Sequence, residues 1–217
     1  MQTRIKICCI SSVEEAILAV SYGVHAIGLV GKMPSGPGPV SDDLILEISK
    51  SVAPSVSRFL LTSETSAEGI VNHHQRTFTD TIQIVDEPES GSYELIKQQI
   101  PYIKIVQVIH IIDEKSIEKA VSVSSLVDAL LLDSGNPNLI IKELGGTGRV
   151  HNWILSRKIV DSVRIPVFLA GGLTSENVRK AIEIVKPFGV DVCSGVRTNS
   201  FLDERKLAKF INAVNKF

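Results

Sequence analysis

Cysteine is scarce. The chain carries only Cys8, Cys9 and Cys193, too few and too odd in number for a disulfide framework. No CxxC pair occurs, so a four-ligand structural zinc site lacks its donors, and neither a metal nor a cofactor is expected. Adjacent cysteines in an extended strand point to opposite faces, which argues against Cys8 and Cys9 sharing a metal or a disulfide. A surplus of charge of one sign is also lacking: 23 basic residues stand against 24 acidic ones, interspersed along the chain. That balance leaves no electrostatic footprint for nucleic acid or a membrane surface. No apolar run is long enough to span a bilayer, and no signal-peptide core precedes a cleavage site, so a cytoplasmic protein is expected. There is no GxxxxGK[ST] loop, and a nucleoside triphosphate is not an expected ligand.

What is present is a rhythm. Strand-like runs ("RIKICCI", "VHAIGLV", "SVSRFLLT", "TIQIV", "YIKIVQVI", "LVDALLLD", "IPVFLA" and "FGVDVCS") alternate with helix-prone stretches such as "SSVEEAILAVSYG", "SDDLILEISKSV" and "TSENVRKAIEIV", closing on "DERKLAKFINAVNKF". Ser11 or Ser12 suits a helix cap and Gly23 a helix stop. Strict βα alternation with short connections predicts a parallel sheet covered by helices. About eight such units in 217 residues predict one α/β domain over 1–217, a (β/α)8 TIM barrel, with a doubly wound open sheet as the alternative.

A barrel builds its site at the C-terminal ends of its strands, and side-chain parity then sorts each run. In the first, Ile5, Ile7 and Cys9 share the face expected to meet the helices, while Arg4, Lys6 and Cys8 point inward. Ile82 and Ile84 face out and Gln83 in; Val127, Ala129, Leu131 and Asp133 form an inward row; Val190 and Val192 face out, Asp191 and Cys193 in. Pattern alone thus sends Cys8, Asp133 and Asp191 to one mouth. The plain alternatives are a buried thiol for Cys8, a helix-capping carboxylate for Asp133, and a lumenal salt bridge between Asp191 and Lys6. Glycine clusters "GGTG" (145–148), "AGGL" (170–173) and "SGV" (194–196) sit near the ends of late strands. Glycine lets backbone N–H groups approach an anion closely, so these loops suit the phosphate of a small phosphorylated substrate.

Several conspicuous residues read as structural. "HH" at 73–74 lies in a polar helix-prone stretch and is expected in solvent. Trp153 is expected where the GGTG loop meets its helix, and "DERK" (203–206) at a helix start. His25 and His110 show no partner in the sequence.

"KICCI", "LLLDS", "GGTGRVHNW" and "PVFLAGGLTSENVRKAIEIVKPFGVDVCSGV" resemble, in order and spacing, the phosphoribosylanthranilate isomerase family. The resemblance is strongest over 130–196 and implies a cofactor-free Amadori rearrangement of N-(5′-phosphoribosyl)anthranilate in tryptophan biosynthesis. It implies Cys8 as general base and Asp133 as general acid. A thiolate is the working form of such a base, and a neighbouring cation such as Lys6 favours it. The phosphate falls on the amides of Gly146, Thr147, Gly148, Gly171, Gly172, Ser194 and Gly195.

Where the family has KICGI, this chain has Cys9. Where the family carries an arginine after the second strand that grips the anthranilate carboxylate, "GKMPSGPGPVS" (31–41) offers only Lys32. The family's QLHG becomes "QIVD" (83–86), and its SGVE becomes "SGVR", placing Arg197 near the phosphate loop. Lys6, Gln83, Asp191, Arg197 and Lys32 are therefore candidate substrate contacts. A paralogue acting on another phosphorylated aminoaldose and a non-catalytic phosphosugar-binding relative stay open, as does a monomer or a homodimer.

Overall fold

The computed structural model of the chain describes residues 2–215. Eight parallel strands close on themselves in sequence order: β1 (Arg4–Ile7), β2 (Ala26–Val30), β3 (Ser57–Thr62), β4 (Thr81–Ile84), β5 (Lys104–His110), β6 (Ala129–Asp133), β7 (Val167–Leu169) and β8 (Gly189–Val192). β8 pairs back onto β1, with Ile7 opposite Val192. Helices α1 (Val13–Ser21), α2 (Asp42–Ser51), α3 (Ala67–Thr77), α4 (Ser92–Gln99), α5 (Lys115–Val123), α6 (Trp153–Ser162), α7 (Val178–Val185) and α8 (Glu204–Asn215) follow the strands one by one. The expected final helix reaches to Phe217; Lys216 and Phe217 lie outside the described residues. Among the described residues no helix is long and apolar enough to cross a membrane.

Local chemistry starts these helices. Ser12, Ser41, Ser66 and Asn152 each accept a backbone N–H of the following first turn, satisfying a donor that helix geometry leaves unpaired. Asp203 does the same for α8, accepting from Arg205 N and Lys206 N, so the predicted helix start at 203–206 is observed.

Two apolar layers hold the barrel. Outside the sheet, Ile5, Ile7, Ile27, Leu29, Leu60 and Ile82 pack against helix residues such as Ile45, Ile48 and Ile70. Each such buried side chain contributes about 1.5–3 kcal/mol relative to exposure. Inside lie Phe59, Leu61, Val106, Val108, Leu131 and Phe168, with the Phe59 and Phe168 rings edge to face. The parity of most strands matches this division. Val127 does not follow its expected inward row: β6 begins at Ala129, and Val127 joins the outer layer.

A small antiparallel ribbon, β9 (Arg197–Thr198) with β10 (Phe201–Leu202), precedes α8. Asn199 and Ser200 turn it with φ of 50° and 69°, the primed hairpin geometry. The histidines at 73–74 depart from expectation. His73 faces inward on α3 and is buried, its ring bonding Thr62 Oγ1 at 2.8 Å and Asp42 Oδ1 at 3.1 Å. His74 bonds Thr79 O. His25 accepts the Ile5 N–H and His110 Nε2 donates to Val85 O at 3.0 Å, so both have partners that only the fold supplies. Trp153 opens α6 and packs on the outer layer.

Candidate active site

The cavity at the C-terminal mouth takes its walls from both ends of the chain: Cys8, Asp133, Asp191 and Cys193 from the strand ends, and loops 145–148 and 171–173 above them. Three of the side chains that parity sent to this mouth, Cys8, Asp133 and Asp191, do line it. Gly28 makes room for the first. A Cβ there would lie 2.8 Å from Cys8 Sγ and 3.1 Å from Lys6 Nζ; sequence reasoning missed this, although a glycine in the lumenal row of a strand is the available signal.

Lys6 is fully buried and bonds Asp191 Oδ2 at 2.8 Å, its Nζ 5.1 Å from the Phe59 ring centre. Burial pulls its pKa down, but the facing Asp191 carboxylate and the thiols of Cys8 and Cys9 outweigh it, and the net direction is upward. The plain reading of Asp191 as a lumenal salt-bridge partner is therefore realised. Its second oxygen, Oδ1, is buried without a protein partner, and Asp191 lines the cavity. Asp133 Oδ1 accepts the Ser134 N–H at 2.7 Å. Its other oxygen, Oδ2, faces Gly145 so closely that a Cβ there would lie 2.8 Å away. His151, beside it, has its pKa held down to about 4 by burial, so its ring is neutral at physiological pH.

The glycine loops curl for a physical reason. Gly171 and Gly172 have φ of 81° and 61°, and a Cβ on Gly172 would lie 2.6 Å from Arg149 C. Only glycine allows the two loops to interlock this closely. The backbone N–H groups of 145–148 and 171–172 donate to no protein acceptor among the described residues. Thr147 Oγ1 bonds Ser134 Oγ at 2.7 Å and so ties this loop to the Asp133 strand end. Gly146, Thr147, Gly148, Gly171, Gly172 and Ser194 line the cavity. Gly195 does not: a Cβ there would meet Leu173 O at 2.0 Å, so Gly195 lets two backbones touch behind the loop.

Three expectations are corrected. Cys9 does not face the helices. Strand pairing stops at Ile7, Cys9 takes φ 62°, and the lapse of alternation turns its side chain into the cavity, with Sγ 2.6 Å from Cys193 Sγ. Arg197 does not reach the cavity. Its guanidinium is buried on Glu15 of α1, 3.0 Å from each carboxylate oxygen, and also donates to the carbonyls of Cys8 and Cys9. Gln83 is buried below the cavity with Oε1 unpartnered, and it does not line the walls.

No lysine or arginine lines this cavity among the described residues. Met33 and Leu144 form a wall shared with a neighbouring cleft that holds Lys32 and Lys142. Lys142 Nζ is engaged by Asp86 at 2.5 Å. Val85, where the family has histidine, presents an apolar wall.

A closed barrel that gathers a thiol, carboxylates and glycine loops at the C-terminal ends of its strands belongs to the (β/α)8-barrel class, which places its sites there. Within that class, a sequence model of the family described as PRAI, N-(5′-phosphoribosyl)anthranilate isomerase, matches residues 5–213, and the chain belongs to this family. It is 38% identical to N-(5′-phosphoribosyl)anthranilate isomerase 2 of Methanosarcina mazei, covering 99% of this chain and 95% of that one. The crystal structure of phosphoribosyl anthranilate isomerase from Thermotoga maritima superimposes with a TM-score of 0.83 at 28% identity, covering 100% of both chains. A phosphoribosyl anthranilate isomerase solved in complex with reduced 1-(o-carboxyphenylamino)-1-deoxyribulose 5-phosphate gives 0.80 at 27% identity, again over 100% of both.

Proposed function

We propose that this chain catalyses the Amadori rearrangement of N-(5′-phosphoribosyl)anthranilate, an aminoaldose, to the corresponding aminoketose, the isomerase step of tryptophan biosynthesis, in the cytoplasm. The observation that carries this reading is the convergence of Cys8, Asp133 and the unpaired amides of the glycine loops on one cavity. Asp133 gives a proton to the furanose ring oxygen, the C1′–O bond opens, and an iminium forms. The Cys8 thiolate takes the C2′ proton, and the resulting enolamine relaxes to the ketone. The phosphate rests on the backbone N–H groups of loops 145–148 and 171–172, an arrangement that needs no side-chain cation. The free Oδ1 of Asp191 accepts a ribose hydroxyl, which removes the desolvation penalty on an unpaired buried oxygen. The aromatic carboxylate lies toward the cleft behind Met33, which Lys32 lines, while Lys142, the other lysine lining it, is engaged by Asp86.

The test is turnover of N-(5′-phosphoribosyl)anthranilate, generated in situ and followed by its fluorescence, with wild type beside Cys8→Ala. Wild type consumes the signal and Cys8→Ala does not. Folded wild-type protein that leaves the signal unchanged would turn the search to other phosphorylated aminoaldoses.

A further inference from the structure

All three cysteines, from opposite ends of the chain, line one cavity. The isomerisation uses only Cys8. The sulfurs of Cys9 and Cys193 lie 2.6 Å apart, about half an ångström from the ~2.05 Å of a disulfide. Their backbones belong to neighbouring strand ends: Cys8 N bonds Val192 O at 2.8 Å. Strands about 4.8 Å apart fall within the roughly 4.4–6.8 Å of Cα separation that a disulfide spans.

We propose that Cys9 and Cys193 are an oxidation site, which a small two-electron oxidant of the hydroperoxide class converts to a disulfide across the barrel mouth.

Three features hold the pair together. The left-handed backbone of Cys9, φ 62°, turns its thiol away from the helix layer. Gly38, at φ 89°, presses on it so closely that a Cβ there would lie 2.6 Å from Cys9 Cβ. Arg197 donates to the carbonyls of both Cys8 and Cys9, so the peptide carrying Cys9 is fixed while the sulfurs move. Cys193 is the more accessible of the two. The thiol–thiol contact with Cys9, with help from the Arg197 guanidinium, holds its pKa below the ordinary thiol range, and the same contact pushes Cys9 up.

The roles follow from this. The Cys193 thiolate attacks a peroxide oxygen and the O–O bond breaks. The leaving oxygen departs as water after taking a proton, and Cys193 becomes a sulfenic acid. Cys9 sulfur then attacks Cys193 sulfur, its proton joins the departing hydroxide, and a second water leaves. Two thiols and one peroxide become one disulfide and two waters, with two electrons passing from sulfur to oxygen. Cys8 shares a peptide bond with Cys9 and is left as a free thiol behind the bridge. Thiol reductants reverse the step by exchange.

Closure of the Cys9–Cys193 pair depends on thiol geometry and not on the isomerase activity, so the readout is chemical. The purified full chain is titrated with hydrogen peroxide, denatured, alkylated, and read by mass spectrometry and non-reducing electrophoresis. Wild type is expected to lose two of its three alkylatable thiols, remain a single chain, and regain them with dithiothreitol. Cys8→Ser should still close. Cys193→Ser and Cys9→Gly (glycine accepts the left-handed backbone) should form no bridge. First oxidation at Cys8, bridging between chains, or three free thiols at excess peroxide would each overturn the proposal.

Discussion

Arg197 and Glu15 meet end-on, with the two terminal guanidinium nitrogens, Nη1 and Nη2, each 3.0 Å from a carboxylate oxygen and both side chains buried. Glu15 also accepts the backbone N–H groups of Ser11 and Leu202. Through this pair the loop after β1, helix α1 and the β9–β10 ribbon are tied together directly behind Cys8.

Removing one partner leaves the other buried and unpaired. Arg197→Ala is therefore expected to destabilise the chain by about 3–5 kcal/mol, measured by urea unfolding. A double-mutant cycle with Glu15→Gln should give a positive coupling energy; additive losses would show that the two residues act separately.

The same pair sets an acid-side pH dependence. Burial raises the Glu15 pKa, but Arg197 and the two amides lower it more, and the net direction is down. A carboxylate lowered in the folded state contributes stability above its unfolded value of about 4.3, and that contribution is lost as pH falls through the lower folded value. Urea midpoints should drop below about pH 4.3, and the drop should be smaller in Glu15→Gln. An unchanged acid profile in that variant would remove Glu15 from the account.

Gly28→Ala tests the room made for the thiol. The added Cβ meets Cys8 Sγ at 2.8 Å and Cys8 Cα at 3.2 Å, so the strand end must shift. A loss of about 1–3 kcal/mol is expected from overpacking, with slower alkylation of Cys8 and lower kcat. Unchanged alkylation kinetics would show that the shift is taken up elsewhere.

Asp133→Asn keeps the shape and removes the proton. Under the proposed mechanism kcat should fall about 10²–10⁴-fold while binding of a phosphorylated product analogue by calorimetry is retained. Loss of binding along with turnover would instead make Asp133 a structural residue of loop 145–148.

Lys32→Ala addresses the aromatic end. A point charge at the edge of the site should raise KM several-fold and leave kcat near wild type, since it holds ground and transition states alike. No change in either would leave the carboxylate held by Lys142 or by solvent.

Much of this architecture is legible in the sequence because two periodicities are. Strand alternation fixes which face Lys6, Cys8, Asp133 and Asp191 occupy, and strict βα order fixes which end of the barrel matters. Reading fails where periodicity stops. Cys9 lies two residues past the last paired residue of β1, Ile7, and a positive φ there cancels the parity rule. Val127 lies two residues before the first residue of β6. His73 is misread because its neighbours are polar; the buried stripe through Ile70 and Val71 is the signal for which side of α3 it takes. The partnership of Arg197 with Glu15 spans 182 residues and leaves no local trace, since nothing in either segment names the other.

The Lys6–Asp191 bridge joins residues 185 positions apart, and it also sits between the first and last strands of the barrel. A chain emerging from the ribosome must therefore carry an uncompensated ammonium through nearly its whole synthesis, and cannot bury it until the eighth strand arrives. Non-local pairing of this kind forms late. Closing the ring therefore also completes the charge pairing at its seam: the carboxylate that neutralises Lys6 arrives on the strand that shuts the barrel.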